Sequence, residues 1–241
     1  SMGITGTDVT KQAADVILLD DNFATLVKAV GQGRCIYSNI RKFVRYLLSC
    51  NIGEVITMFI GILIGYPIVL LPTQLLLVNL ITDGLPAIAL GLEPLDEREM
   101  NKPPRKSDES FFAGGLMSKI IFRGVMIGLC TLGSFSNTLR ITGSLEHART
   151  SALLTLVSSQ LIHVFECKSE TGNIFTVNYF NNPKLFIAVL VSAVAVMAAI
   201  YFPPLMKVFS TVALSNKTLI SAVGFALIIP IANCFFNKSK K

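Results

Sequence analysis

Two groups of polar side chains lie where apolar residues would be expected. Asn51 and Glu54 fall inside an apolar stretch, in Ser49-Cys50-Asn51-Ile52-Gly53-Glu54-Val55. Asn79, Thr82 and Asp83 fall inside another, in Val78-Asn79-Leu80-Ile81-Thr82-Asp83-Gly84-Leu85-Pro86. A carboxylate within a membrane span costs at least ~2.5–3.5 kcal/mol, so ionisable residues there mark a pathway or a site. Residues three and four apart share a helix face. That spacing sets Asn51 beside Glu54 and gathers Asn79, Thr82 and Asp83. Pro86 has no N–H and frees the Thr82 carbonyl four residues back, so the backbone is expected to loosen just past Asp83. Irregular backbone at membrane depth is tolerated only where it lines protein or a cavity. The donor set is oxygen: two carboxylates, two amide carbonyls, a hydroxyl and freed main-chain carbonyls. Hard cations such as Ca2+ take 6–8 oxygens. The bland alternative is interhelical hydrogen bonding between polar side chains. It accounts for a lone asparagine better than for a set with two acids. Gln160, in Ser158-Ser159-Gln160, offers one more neutral oxygen. His163 reads as a packed or hydrogen-bonded residue, Glu166 as interfacial, and Arg123 as a side chain snorkelling to the headgroups.

The elements that must position these groups follow from composition. Of 241 residues, 52% are hydrophobic and only 15% charged, and mean hydropathy is +0.62. A soluble domain carries about 25% charged residues, so a single water-soluble globule is excluded. Six apolar segments occur, roughly 43–65, 74–92, 120–139, 151–167, 185–202 and 219–236. A span needs about 20 residues. The fold class expected is an all-α membrane protein with six transmembrane helices over residues 35–241, and the lipid bilayer is its first partner. The formal charge of +6 could suggest nucleic acid. Its placement fits cytoplasmic loops instead, and no nucleic-acid partner is expected. Lys28, Arg34, Arg41, Lys42 and Arg45 precede or open the first span, and the loop after the second holds Arg98, Lys102, Arg105 and Lys106. With six spans both termini are then cytosolic. The five cysteines are scattered with no CxxC, and the two histidines are far apart, so neither a disulfide framework nor a zinc site is indicated.

Residues 1–34 read as cytosolic. Val16-Ile17-Leu18-Leu19 is expected to be a buried strand, and Asp21 is the N-cap candidate for a helix over 22–30. A stretch this short cannot build its own core, so it reads as the edge of something larger. Ser1-Met2 reads as a tag scar or the cut edge of a longer chain.

These residues resemble the C-terminal part of Ca2+-transporting P-type ATPases of the sarco/endoplasmic-reticulum-like branch. Residues 2–15, MGITGTDVTKQAAD, are similar to the end of the family's phosphorylation domain. Asp20-Asp21-Asn22-Phe23 and Gly33-Arg34-Cys35-Ile36-Tyr37-Ser38-Asn39-Ile40 resemble the stalk into the fifth transmembrane helix. Asn51-Ile52-Gly53-Glu54-Val55 resembles that helix's ion-binding stretch, and residues 79–87, NLITDGLPA, the sixth's. The resemblance covers essentially the whole chain and makes the six spans helices five to ten of a ten-helix pump. Residues 1–34 become the cytosolic remnant of the phosphorylation domain and stalk. It implies that Asn51, Glu54, Thr82 and Asp83 form one Ca2+ site with a side chain from the eighth helix. Asn79 and Asp83 would serve a second, completed by a fourth-helix Glu that this chain lacks. Sodium–potassium pumps usually carry Asp where Asn79 stands, which leans towards Ca2+. Gln160 aligns with an eighth-helix Glu of two-site pumps. A neutral amide there keeps an oxygen but loses a charge, which puts the first site in question and leaves one or two Ca2+ per cycle open.

By the same resemblance the parent is an ATP-driven Ca2+ exporter with H+ countertransport. The family's phosphorylated Asp motif, nucleotide domain and first four helices are absent from these residues. No catalytic residue and no cofactor site is therefore expected in this chain. ATP and Mg2+ belong to the complete pump, and the missing N-terminal part of that pump is a partner. A bacterial plasma membrane is the expected location. The rival readings are a pump for Mn2+, Na+ or H+, and a stand-alone channel or non-catalytic membrane protein.

Overall fold

The computed structural model describes residues 1–94, 100–101, 103–105, 109–169 and 181–238, with side chains described through residue 232. Arg98, Lys102 and Lys106 of the basic loop, most of the Lys168–Lys184 connector and residues 239–241 lie outside the described residues. The described residues are helical, with one isolated bridge, Met2 to Leu18, and no strand.

The first helix, α1, is short, Asp8–Ala13, capped by the Thr7 side chain. The long helix α2 runs Phe23–Leu63 without a break, about 60 Å at 1.5 Å per residue. That is twice a bilayer's hydrocarbon thickness, and α2 joins a half that carries Lys28, Arg34, Arg41, Lys42 and Arg45 to an apolar half. Its N-cap is Asn22, whose Oδ1 accepts from Ala24 N at 2.9 Å. Asp21, the residue expected to cap it, does something else. It turns the chain at φ +50°, and its carboxylate accepts from Ile4 N (2.9 Å), Thr5 N (2.7 Å) and Thr5 Oγ1 (2.6 Å). The expected strand at 16–19 is not formed. Val16, Ile17 and Leu19 are exposed, because Leu18 meets only the Met2 segment and nothing packs over the run.

The Thr5 hydroxyl first, then the main-chain donors, hold Asp21 down from the usual 3.8 to about 2. A carboxyl with a depressed folded pKa contributes stability that is present above the unfolded value and lost as pH falls through the folded one. The turn joining residues 3–5 to Asp21 should therefore persist at pH 4 and loosen towards pH 2. In D21N, hydrogen exchange at Ile4 and Thr5 should be fast already at neutral pH.

Past α2, the chain enters α3 (Pro72–Leu77), a wide π-helical turn at Val78–Asp83, and α4 (Gly84–Gly91). Then come α5 (Leu116–Thr142), α6 (Leu145–Cys167), α7 (Pro183–Tyr201), the short α8 (Pro203–Phe209) and α9 (Asn216–Lys238). Among the described residues, four stretches are long and apolar enough to cross a membrane: Phe23–Leu63, Pro72–Gly91, Leu116–Thr142 and Pro183–Tyr201. α6 is not among them, and its position explains why. It is buried along most of its length, packed against α5, α9, α2 and α7, so its polar side chains are satisfied by protein. Thr155 Oγ1 meets Ser134 Oγ at 2.7 Å, Ser134 Oγ meets Ser151 Oγ at 2.9 Å, and Thr138 Oγ1 meets Ser151 Oγ at 2.9 Å.

α2 and α5 approach closely through small residues, the usual device where apolar solvent gives helices little reason to associate. A Cβ on Gly124 would lie 2.3 Å from Ile52 Cγ2 and 3.0 Å from Ser49 O. One on Gly128 would lie 2.5 Å from Ile56 Cγ2. Overpacking of this kind costs about 1–3 kcal/mol. Gly124→Ala should lower the thermal midpoint of the detergent-solubilised protein and push apart the helix face that carries Glu54. Gly33→Ala, with nothing within 4 Å, is the matched control on α2.

Candidate functional site

The polar groups singled out in the sequence converge where α2, the π-turn and α6 meet. Glu54 is on α2 and 7% exposed, Asp83 ends the π-turn and is 1% exposed, and Gln160 is on α6 and fully buried. One nitrogen links the acids: Gln160 Nε2 donates to Glu54 Oε1 at 3.2 Å and to Asp83 Oδ2 at 3.4 Å. Asn79 Nδ2 donates to the other Glu54 oxygen at 3.0 Å and to Leu75 O at 3.0 Å. Thr82 is buried and donates to Val78 O at 2.9 Å. Asn51 alone stands apart, exposed on α2 and outside this cluster. Asn79 is exposed too, so the cluster is closed on the α6 side, where Gln160 is fully buried, and reaches the surface at Asn79.

The local backbone is built differently from the expected unwinding. The loosening falls before Gly84, as a π-turn containing Asn79, Thr82 and Asp83. Single π-turns inside helices concentrate at functional sites. Pro86 lies in α4 and has no N–H to give the Thr82 carbonyl four residues back. The Thr82 carbonyl is nonetheless taken by a side chain: Tyr46 Oη donates to Thr82 O at 3.1 Å and to Asp83 Oδ1 at 3.2 Å.

Tyr46 is a site residue that the sequence reading did not pick out. It is fully buried and steers one Asp83 oxygen while Gln160 steers the other. The signal was present, since Tyr46, Cys50 and Glu54 recur every four residues and so share one face of α2. Arg123 and Glu166 were assigned to the membrane interface, and the structure corrects both. Each side chain is only 2% exposed, and they form an ion pair. Arg123 Nη1 also donates to Ile229 O at 2.9 Å, so α5, α6 and α9 are pinned at one point. His163 is a packed and hydrogen-bonded residue, as read from the sequence. Its Nδ1 lies 3.0 Å from Glu166 Oε2 and its Nε2 lies 3.4 Å from Cys167 Sγ.

The chemistry of the donor set suits a hard cation. Beside the four carboxylate oxygens lie the amides of Asn79 and Gln160, and the Thr82 hydroxyl is turned to Val78 O one turn back. Gln160 Oε1 is buried without a hydrogen-bond partner. A half-turn of that amide exchanges nitrogen for oxygen and would point the idle acceptor at whatever lies between Glu54 and Asp83. Acids of this kind do not stay side by side in a low-dielectric bundle without a counter-charge, donors or protons.

The described helices thus bring two buried carboxylates together inside an apolar bundle. The comparisons take this further. The family described as "Cation transporting ATPase, C-terminus" matches residues 67–237, and the chain belongs to that family. A "Calcium-transporting ATPase" of Bacillus subtilis (strain 168) is 46% identical over 229 residues, covering 95% of this chain and 26% of the relative. "Calcium-transporting ATPase 1" of Bacillus cereus (strain ATCC 10987 / NRS 248) is 42% identical over 254 residues, covering 99% and 28%. "Calcium-transporting ATPase type 2C member 1" of Mus musculus is 35% identical over 241 residues, covering 100% and 26%. The chain thus spans about a quarter of the length of these relatives.

Proposed function

We propose that this chain is the C-terminal transport domain of an ATP-driven pump that exports Ca2+ from the cytosol, in exchange for H+. The observation that carries the reading is that Glu54 and Asp83, from two different helical segments, accept hydrogen bonds from a single nitrogen of Gln160. A cation between them would meet two carboxylates, the Asn79 and Gln160 carbonyls and Thr82. Asn51 would join from α2, and a helix of the missing part would supply the rest of the 6–8 oxygens. With a neutral amide at the third corner the cage holds two formal charges, which matches one Ca2+ per cycle. The names of the relatives agree with the ion.

In this reading residues 1–34 are the end of the phosphorylation domain and its stalk. Residues 35–241 form six spans, with α6 crossing inside the bundle and α9 as the last. The basic residues of α2 and the α4–α5 loop support a cytosolic position for both ends. α2 would carry motion from the phosphorylation domain to Glu54 as one continuous rod. The rest of the same pump supplies ATP and Mg2+ binding and the phosphorylated Asp. The membrane would be a bacterial plasma membrane.

The test is turnover by the complete pump with Ca2+, Mn2+ or Na+ as the sole added ion, beside the 241-residue chain alone. Stimulation by Ca2+ at the lowest concentration, and no ATP hydrolysis by the chain alone, is the expected result. A complete pump indifferent to Ca2+ would overturn the ion assignment. ATP turnover by the isolated chain would overturn the division of labour.

A further inference from the structure

Glu93 ends the segment that begins at Asp83, and it sits at a junction that the ion site does not use. Its side chain is buried, 8% exposed, at the level where α2, α4, α6 and α7 come together. Glu93 Oε1 pairs with Lys168 Nζ just past α6 at 3.2 Å, and both groups are buried. Glu93 Oε2 accepts from Asn182 Nδ2, the N-cap of α7, at 2.8 Å. The main-chain oxygen of Glu93 accepts from Asn39 Nδ2 on α2 at 2.7 Å and from Cys35 Sγ at 3.7 Å.

The same two asparagines also serve the end of α4. A helix leaves its last four carbonyls without partners. Here Asn182 Nδ2 donates to Ala89 O at 2.9 Å and Asn39 Nδ2 to Gly91 O at 3.3 Å. Asn182 Oδ1 meanwhile accepts from Leu185 N at 3.1 Å and starts α7. α4 is therefore capped in trans, by α2 on one side and by α7 on the other, and Glu93 is the residue both caps share. Only one short helix separates this junction from Asp83.

A buried ion pair gives little net stability against an apolar replacement, but losing one partner is costly because the other stays buried and charged. Such a pair is better suited to fixing one arrangement than to holding the fold together. We infer that Glu93, gripped by Lys168 and Asn182 and tied through its carbonyl to Asn39, is a positioning residue. It sets where α4 lies, and hence where Asp83 stands relative to Glu54 and Gln160. Through it the stalk half of α2 has a second connection to the ion cage, besides the direct one along its own axis. The inference rests on the pump reading above.

The experiment uses the complete pump with E93A, K168A and the reversed pair E93K/K168E. Turnover is measured against free Ca2+, and the thermal midpoint is recorded for each variant. The two single variants should raise the Ca2+ concentration for half-maximal turnover by about tenfold, within the range usual for coupling between sites. Turnover at saturating Ca2+ should be retained, and the reversed pair should return the Ca2+ dependence towards the starting value. Unchanged Ca2+ dependence in both single variants would overturn the assignment. So would a joint fall in maximal turnover and thermal midpoint that the reversed pair does not relieve, because that pattern belongs to a merely structural contact. A starting pump that does not respond to Ca2+ at all would instead sink the functional reading, and the two failures are distinct.

Discussion

Asp83→Asn should abolish Ca2+-dependent phosphorylation of the complete pump, while Gln160→Ala should leave it working with weaker Ca2+ dependence. The asymmetry comes from position. Asp83 is the more deeply buried of the two acids, reached by Tyr46 through one oxygen and by Gln160 through the other. Replacing it with an amide removes a full charge, and a donor nitrogen then competes for the place of a ligand oxygen. Charge-assisted interactions are roughly twice as strong as neutral ones, so the loss is expected to exceed 100-fold, or about 2.7 kcal/mol, in the Ca2+ concentration required. Gln160→Ala removes one neutral oxygen and the shared donor but leaves both carboxylates. A loss of roughly tenfold, about 1.4 kcal/mol, is expected. Tyr46→Phe is the informative companion, since it deletes only the hydroxyl that steers Asp83 and caps Thr82 O. Equilibrium binding of radioactive Ca2+ beside phosphorylation by labelled ATP separates loss of the site from loss of coupling. Unaltered Ca2+ affinity in Asp83→Asn would remove the site assignment.

What could be read from sequence was the part set by local spacing. Glu54 and Asp83 declared themselves as acids in apolar runs, and i, i+3 and i, i+4 offsets were enough to group their neighbours. Asn79 and Thr82 fell into place on that basis. Asn51 shows the limit of the same rule, because sharing a broad face with Glu54 did not bring it into the cluster. Contacts between segments far apart in the chain were beyond spacing. Gln160 meets Glu54 across 106 positions and Tyr46 meets Asp83 across 37, and no periodicity reports such a meeting. The backbone at Pro86 was read correctly as irregular but misplaced. The sequence marks which residue lacks an N–H, but not that the wide turn falls at Val78–Asp83, ahead of it. The 16–19 run failed for a different reason: hydrophobicity says that a segment is meant to be covered, and not by what.

The second large effect should come from Arg123→Met. Hydropathy placed Arg123 and Glu166 near the membrane surface, yet they pair inside the bundle, with His163 on Glu166 and the Ile229 carbonyl on Arg123. Removing the arginine takes away the cation paired with the buried Glu166 carboxylate. Breaking a buried pair in this way costs about 3–5 kcal/mol, which in a bundle of marginal stability is a large share of the whole. Arg123→Met should therefore lower the thermal midpoint more than any other single substitution considered above and reduce yield in the membrane. The double variant Arg123→Met/Glu166→Gln should recover much of the loss, because it removes the stranded charge along with its partner. Glu166→Gln alone should be intermediate, since Arg123 keeps its bond to Ile229 O. A cycle built from these three variants gives the coupling energy directly. A double variant as unstable as Arg123→Met would mean that the arginine acts through packing and its carbonyl contact, and not through the charge of Glu166.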